Sequence, residues 1–353
     1  MIRQFDVAVL GAGPVGLIAG LQLARSGRSV MIASSRLPAA DGPRRVDAVS
    51  AAFLALLTEF GIHPAAVGVD RLHRARLSAW PTAEPLLSDT AATAHVERPA
   101  LDLELLRAAM RAGCEVQPGF RLGGGEITRR DWTARRSLDA TGRAAVSAAR
   151  RVRPEKPWIA RSFWAPVGAH HRGFAIAQLP DGYAYRLGSA SILTLGVAGR
   201  REALAGSPLG IAQQLRLHAP WLLQDLPAFA DLRPGGGGAA SVQWGEGDGL
   251  RIGDAALARD ALSSQGLAAG TSEALLAAAM ASEDDRAAIL ARQREQRQAH
   301  LGSLLMLFET GRFAQAPAWR EYGDFLRAQH HPQPVTWTAA VRDQRVRRIG
   351  LRH

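Results

Sequence analysis

The sequence predicts an α/β fold with three parts: a Rossmann-like nucleotide-binding domain, an antiparallel-sheet domain and a helical C-terminal region. Three observations predict it: a glycine cluster between an N-terminal apolar run and an Ala/Leu-rich helix, several short strand-like segments, and helical periodicity toward the end of the chain. We expect the first domain at 1–154 and 246–290, the antiparallel-sheet domain at 155–245, and the helical region with its basic tail at 291–353.

The first element is an apolar strand that stops at three glycines with G-x-G-x-x-G spacing, Gly11, Gly13 and Gly16. In this pattern the first glycine allows a tight turn, the second lets the backbone approach a pyrophosphate, and the third lets the helix pack on the strand. The helix is expected to end at Ser26-Gly27, and 28–33 reads as the second strand. This context favours a nucleotide site over a purely structural turn.

The end of the second strand differs from the usual pattern. An acidic residue normally binds the ribose hydroxyls there, but the chain has Ser34-Ser35-Arg36. A serine and an arginine at this point can form a site for a 2′-phosphate, which would favour NADP. Alternatively, Ser34 makes one weaker hydrogen bond to a ribose. The residues alone leave both interpretations open.

Composition excludes several classes of protein. Arginine supplies nearly all of the positive charge behind a net charge of +11, since Lys156 is the single lysine. The arginines are spread along the chain, which argues against nucleic-acid binding. A lone cysteine, Cys114, excludes an intrachain disulfide and a thiolate metal cluster. The first strand begins close to Met1 and no apolar stretch is long enough to span a bilayer, so we expect a cytoplasmic protein without a membrane partner.

Further elements follow in alternation before the middle of the chain. The predicted helices and strands are Val49–Phe60 (helix), Arg71–Trp80 (strand), Glu97–Arg111 (helix), Glu115–Val116 (strand) and Ser137–Arg143 (strand and glycine turn).

The middle of the chain changes to strands joined by turns. The strands are predicted at Gly173–Leu179, Tyr183–Leu187 and Ser191–Ala198, which suits an antiparallel sheet that covers a pocket. Gly235–Gly238 is expected to be a flexible loop. Helices are predicted near 208–220, 272–307 and 319–329.

A second motif lies far downstream of the first glycines. Gly253-Asp254-Ala-Ala is followed by Ser263-Ser-Gln-Gly266 and a small-residue helix. With the N-terminal glycines, the segment Ala140-Thr-Gly-Arg143 and Arg98 at a helix start, this pattern resembles the FAD-dependent monooxygenases of the para-hydroxybenzoate hydroxylase type. More narrowly, it resembles the branch that contains the tryptophan halogenases and the flavoproteins of tryptophylquinone maturation.

Two further segments carry the narrower resemblance. Pro43–Asp47 is similar to the branch's Pro-Arg-x-Gly-Glu segment, and Phe308–Trp319 is similar to its C-terminal aromatic, Arg and Trp signature. The resemblance implies a Rossmann-like FAD-binding domain with the sheet domain as its substrate domain.

The resemblance also implies which residues bind FAD. The glycines would hold the pyrophosphate, Arg44 or Arg45 would face the phosphates, Arg98 the ribityl region and Asp254 a ribityl hydroxyl. Backbone groups from Ser263 to Gly266 would lie beside the flavin pyrimidine ring, where their dipoles could stabilise reduced flavin. The full set expected at the cofactor is Gly11, Gly13, Pro14, Gly16, Ser34, Arg36, Arg44, Arg45, Arg98, Gly253, Asp254, Ser264, Gln265 and Gly266.

The activity implied is aromatic hydroxylation through a flavin hydroperoxide. The substrate would be an aromatic small molecule or a peptide, with peptidyl tryptophan or another indole as one candidate, and a protein partner is an open option. NAD(P)H is a candidate electron donor. Halogenation is disfavoured, because Leu72 and His73 occupy the neighbourhood of the halogenases' active-site lysine and no W-x-W-x-I-P segment occurs.

The sequence leaves other functions open. The chain could be another FAD-dependent oxidoreductase of the same fold, or an NADP-binding reductase. It could also be a degenerate, non-catalytic binding or maturation partner without FAD, since Ser34, Ala261 and Ser263 depart from the family pattern. No catalytic residue is identified: Asp260 could approach the flavin or pair with Arg259. The His170-His171 pair lacks neighbours at ligand spacing, so no metal site is predicted.

Overall fold

The computed structural model describes residues 2–120, 131–166, 173–204, 208–224 and 226–330. Among them the strands in chain order are β1 (Arg3–Leu10), β2 (Val30–Ala33), β3 (Val46–Ser50), β4 (Leu72–Ala79), β5 (Leu86–Glu97), β6 (Glu115–Gln117), β7 (Trp132–Asp139), β8 (Arg150–Val152), β9 (Ile159–Pro166), β10 (Phe174–Leu179), β11 (Gly182–Gly188), β12 (Ile192–Gly199), β13 (Arg233–Ala239) and β14 (Gln243–Glu246).

The helices of the same residues are α1 (Pro14–Arg25), α2 (Ala51–Glu59), α3 (Arg98–Arg111), α4 (Arg201–Leu204), α5 (Pro208–His218), α6 (Asp254–Leu257), α7 (Gly266–Ala279), α8 (Glu283–Glu309) and α9 (Pro317–Gln329). None of the helices in the described ranges combines the length and the apolar character needed to cross a membrane.

The first sheet is parallel and has the strand order β6-β2-β1-β7. Helix α1 connects its first two strands, as the sequence predicted, and begins at Pro14 because a proline needs no donor in the first helical turn. The helix ends before Gly27, whose φ of +79° suits glycine. The glycine turn therefore lies at the carboxyl edge of this sheet, where ligands bind in open α/β folds.

The second sheet is large and mixed, with the strand order β13-β9-β12-β11-β10-β4-β5-β3. The strands β9 to β12 and the turn before Gly182 confirm the predicted antiparallel region. The sheet also contains β3, β4 and β5, so it takes strands from both sides of the expected boundary at residue 155. The division of the chain into domains stays a prediction.

Two local expectations are corrected. The glycines Gly235–Gly238 do not form a loop but lie in β13, which pairs antiparallel with β9. The predicted helix at 272–307 is two helices, α7 and α8, because a capping box starts α8: the Ser282 hydroxyl accepts from the Asp285 N–H, and the Asp285 carboxylate accepts from the Ser282 N–H.

Separate hydrophobic cores support the two sheets. One packs α1, α3 and α7 around the parallel sheet. Another is rich in aromatic side chains and lies between the large sheet and the C-terminal helices, with Trp158 against Trp319 and Phe308. Ile176 and Tyr183 belong to the second core and also line the cavity described next.

Candidate functional site: a cofactor cavity between two sheets

A cavity of about 1020 Å³ extends from the glycine turn to the large sheet. Ten of the predicted cofactor residues line it: Gly11, Gly13, Pro14, Ser34, Arg36, Arg45, Arg98, Asp254, Ser264 and Gly266. The other four, Gly16, Arg44, Gly253 and Gln265, do not line it among the described residues.

The glycine turn provides an open anion cradle. Gly11 has a φ of +110°, and a Cβ there would lie 2.4 Å from the carbonyl oxygen of Ala140. A Cβ at Gly16 would lie 2.1 Å from the carbonyl oxygen of Gly11, so this glycine permits helix packing rather than ligand contact. A Cβ at Gly13 would meet nothing within 4 Å, and no side chain caps the start of α1. The free N–H groups of the helix N-terminus therefore face open space, which suits a phosphate.

The end of β2 lines the same cavity with Ser34 and Arg36. The Ser34 hydroxyl donates to the carbonyl oxygen of Arg36 at 2.7 Å, so only its lone pairs are available to a ribose. Arg36 is exposed at the cavity edge. This geometry allows a weak ribose contact and leaves the guanidinium available to a ligand.

Arg98 is held by two carboxylates instead of being a free cation. Its Nη1 donates to Asp47 Oδ2 at 2.9 Å and its Nε donates to Asp102 Oδ1 at 2.7 Å. Burial alone would lower the pKa of Arg98, but Asp102 and Asp47 outweigh it and raise that pKa. For the carboxylate of Asp47 the directions are reversed: burial alone would raise its pKa, but the charges of Arg45 and Arg98 outweigh burial and lower that pKa. Arg98 therefore stays charged and fixes the start of α3 at the cavity.

The two candidate phosphate arginines are separated by the structure. Arg45 lines the cavity, and its Nε is buried without a hydrogen-bond partner among the described residues, 3.5 Å from Asp47 Oδ1. Arg44 is exposed and lies over the Trp164 ring, 5.0 Å from the ring centroid. Of the pair, Arg45 is the residue positioned toward a ligand in the cavity.

The segment Ala140-Thr-Gly-Arg143 is built around the buried carboxylate of Asp139. Asp139 Oδ1 accepts from the Thr141 N–H at 2.9 Å and from the Thr141 hydroxyl at 2.6 Å. The turn brings Arg143 to the cavity, where it donates to the carbonyl oxygens of Ser241 at 2.6 Å and Arg259 at 3.0 Å. Its Nε lies 4.0 Å from Asp254 Oδ2.

Asp254 is the first residue of α6 and is half-buried at the cavity. Burial raises the pKa of Asp254 in spite of the opposing charge of Arg143. Its Oδ1 lies 3.7 Å from the point that a Cβ on Gly266 would occupy, so the carboxylate is beside the start of α7. The preceding residue is fixed by a hydrogen bond, because the Gly253 N–H donates to Glu273 Oε2 at 2.8 Å.

The turn before α7 carries the second set of predicted residues. Ser264 lines the cavity with a φ of +50°, and Gln265 is the N-cap residue of α7 without a side-chain cap. The turn thus presents backbone groups of a helix N-terminus to the cavity, on a helix that packs against α1.

Sequence reasoning missed a buried cluster around Asp260. Asp260 does not pair with Arg259; its carboxylate accepts from the hydroxyls of Tyr183 and Tyr322, each at 2.9 Å, and from the Leu262 N–H at 3.0 Å. Burial raises the pKa of Asp260 although these three donors act against it. Asp260 and Tyr183 both line the cavity. Its closeness to the Gly-Asp motif pointed to Asp260 itself, but no local signal pointed to its partners Tyr183 and Tyr322.

These features fit a bound FAD. The cavity joins an open Gly13 cradle, an uncapped helix N-terminus and an Arg45 Nε without a hydrogen-bond partner among the described residues, which together suit a dianionic pyrophosphate. Asp254 offers a carboxylate acceptor for a sugar hydroxyl. When bound, the flavin would supply redox and oxygen chemistry, which no side chain provides.

Comparison with known families identifies the cofactor class. Residues 4–150 match the family model of the FAD binding domain. This finding confirms the predicted cofactor and the predicted class, an FAD-dependent flavoenzyme. No curated protein sequence matches the chain significantly.

Several solved structures share the fold of this chain. The chain is similar to the myxobacterial chondrochloren halogenase CndH, with a TM-score of 0.70, 18% identity, and coverage of 91% of this chain and 86% of that one. It is similar to the flavin-dependent brominase Bmp2, with a TM-score of 0.71, 17% identity, and coverage of 91% and 94%. It is also similar to the peptidyl tryptophan dihydroxylase QhpG, with a TM-score of 0.68, 22% identity, and coverage of 91% and 79%. These likenesses confirm the predicted fold of the halogenase and monooxygenase group.

Proposed function

We propose that the protein is an FAD-dependent monooxygenase that hydroxylates an aromatic substrate, with an indole on a peptide as one candidate. One observation carries the proposal: a single cavity joins the FAD-type cradle at Gly13 to a wall of aromatic and aliphatic side chains on the large sheet, including Phe174 and Ile176. Such a wall can hold an aromatic ring next to the cofactor and exclude water from it.

Under this proposal each cofactor contact has a defined role. The N-terminus of α1 and Arg45 bind the pyrophosphate, Asp254 accepts from a ribityl hydroxyl, and the turn at Ser264 faces the flavin ring. Arg36 and Ser34 meet the adenosine end. Reduction by NAD(P)H is the expected electron supply, and a cytoplasmic location remains a prediction from the sequence.

The proposal is tested first at the cofactor. Purified protein is titrated with FAD and separately with NADPH, and the visible spectrum is recorded. Asp254→Ala is expected to weaken FAD binding about tenfold or more, because a charge-assisted hydrogen bond is lost. The matched control is Asp324→Ala, since Asp324 is an exposed aspartate that pairs with Arg327 on α9. Equal FAD affinity in both variants would contradict the assigned role of Asp254.

Halogenation is the second candidate, because two of the compared structures are a halogenase and a brominase. The structure gives it less support: the single lysine, Lys156, does not line the cavity and pairs with Glu321 at 3.3 Å on the surface. The two activities are distinguished by running the reaction with bromide and isotopically labelled dioxygen and analysing the product by mass spectrometry. Hydroxylation incorporates the oxygen label, whereas halogenation incorporates bromine.

A further inference from the structure

Four strands of the large sheet contribute an uncharged wall to the cavity, here called the sheet wall. Its described residues are Ala160, Ser162, Phe174, Ile176, Tyr183, Tyr185, Leu187, Gly236, Gly237, Gly238 and Ala239. The charged residues beside this wall are already paired: Asp47, on β3 of the same sheet, accepts from Arg98, and Asp260 accepts from Tyr183. A ligand that lies against the sheet wall and carries a carboxylate or an ammonium group would therefore bury that charge without a counter-ion from the wall, which is costly.

Two tyrosines on β11 stand side by side in this wall, but their hydroxyls differ. The Tyr183 hydroxyl is committed, because it donates to Asp260 Oδ1 at 2.9 Å. The Tyr185 hydroxyl has no hydrogen-bond partner in the described part of the chain, and the residue is only half-buried. Burial raises the pKa of Tyr185 to about 12, so the hydroxyl stays neutral and can both donate and accept.

The Tyr185 ring is fixed by the strand beside it. Tyr185 is the cross-strand partner of Gly196 on β12, and a Cβ on Gly196 would lie 2.1 Å from Tyr185 Cζ. The ring therefore occupies the space that a larger residue at Gly196 would take. On the other side Tyr185 pairs with Ile176 of β10. The free hydroxyl is thus held on an otherwise apolar surface.

We propose that Tyr185 is a specificity-determining residue, whose hydroxyl makes a hydrogen bond with the single polar group of a neutral aromatic ring that lies against the sheet wall. The inference rests on the proposed function and names its substrate class: an uncharged aromatic ring with an N–H or O–H donor. An indole side chain within a peptide has these properties, whereas free tryptophan brings two charges close to the ring.

The test uses 3-methylindole and 1-methylindole as probes, because these isomers match in size and only the first has an N–H donor. Their binding to the protein is measured by calorimetry, with and without FAD. Wild type is expected to bind 3-methylindole about tenfold more tightly than 1-methylindole, and more tightly than free tryptophan. In Tyr185→Phe the ratio between the isomers is expected to fall to about one, in a protein that stays folded because this substitution removes no internal hydrogen bond.

Ser303→Ala is the matched control, since it removes an exposed hydroxyl on α8 that does not line the cavity. Its isomer ratio is expected to stay close to that of wild type. The inference is wrong if the ratio persists in Tyr185→Phe, if it falls equally in Ser303→Ala, if tryptophan binds as tightly as 3-methylindole, or if neither isomer binds. An FAD titration of the same samples separates the two proposals, because normal FAD binding without isomer discrimination refutes only the role of Tyr185.

Discussion

A pair of buried histidines should make the protein sensitive to acid. The rings of His73 and His95 stack with centroids 4.0 Å apart, and His95 is 1% exposed. Its Nδ1 lies 2.7 Å from the carbonyl oxygen of Gly188, so Nδ1 carries the proton of the neutral ring. Burial first, and the neighbouring His73 second, lower the pKa of His95 from 6.5 to about 4.

The lowered pKa fixes the direction of the effect. At pH values between about 4, the pKa of His95 in the folded protein, and 6.5, the ordinary pKa of histidine, the unfolded chain binds more protons than the folded one. The contribution of His95 to the free energy of unfolding is therefore intact above about pH 6.5 and is lost as the pH falls toward 4. The difference between the ordinary pKa of 6.5 and the folded pKa of about 4 corresponds to about 3.5 kcal/mol, at about 1.4 kcal/mol for each pH unit.

The perturbation is His95→Asn, which keeps a donor for Gly188 and removes the titration. The free energy of unfolding is measured by urea denaturation between about pH 7.5 and pH 4.5. We expect the variant to be less stable near neutral pH because it loses ring packing, but to lose about 2 to 3 kcal/mol less than wild type over this range. His63→Asn is the control, since His63 is exposed. An unchanged pH dependence in His95→Asn would refute the reasoning.

Three other changes test separate parts of the structure. Gly13→Ala should abolish tight FAD binding with little change in melting temperature, because the added Cβ enters the open space proposed for the pyrophosphate and meets no protein atom. Gly16→Ala should instead destabilise the fold, because the added Cβ meets the backbone of Gly11. Thermal melts and FAD titrations distinguish the two effects. Tyr322→Phe removes one of the donors to Asp260 and should cost about 1 to 3 kcal/mol in chemical denaturation, against no cost if the cluster is unimportant. Burial raises the pKa of the Cys114 thiol to about 11, so native protein should react with thiol reagents far more slowly than unfolded protein, and fast native labelling would contradict this.

Local signals in the sequence predicted the parallel unit well. The glycines end β1 and start α1 through conformations that neighbouring residues dictate. The helix after Arg98 was equally visible, because Pro99 in its first turn and an apolar stripe are both short-range features. Backbone geometry of this kind depends on a few adjacent residues, so the sequence alone can specify it.

Long-range features were not visible in the same way. The first half of β5 is mostly exposed, with two leucines followed by Ser88, Asp89 and Thr90, and it resembles a loop until β4 pairs with it. Glycines 235–238 become a strand only because β9 supplies a hydrogen-bonding partner. Asp260 meets tyrosines that are 77 and 62 positions away, and no local pattern links such partners. The arrangement of Arg44 outside the cavity and Arg45 inside it likewise depends on packing against Trp164.

Whether the cavity binds FAD is best decided by an equilibrium titration of purified protein with FAD. We expect saturable binding with a perturbed flavin spectrum, strongly weakened in Gly13→Ala and retained in the surface control Asp324→Ala. A folded wild-type protein without saturable FAD binding would show that the cavity is not an FAD site. Saturable NADPH binding in its place would then favour a reductase, and binding of neither cofactor would favour a non-catalytic relative.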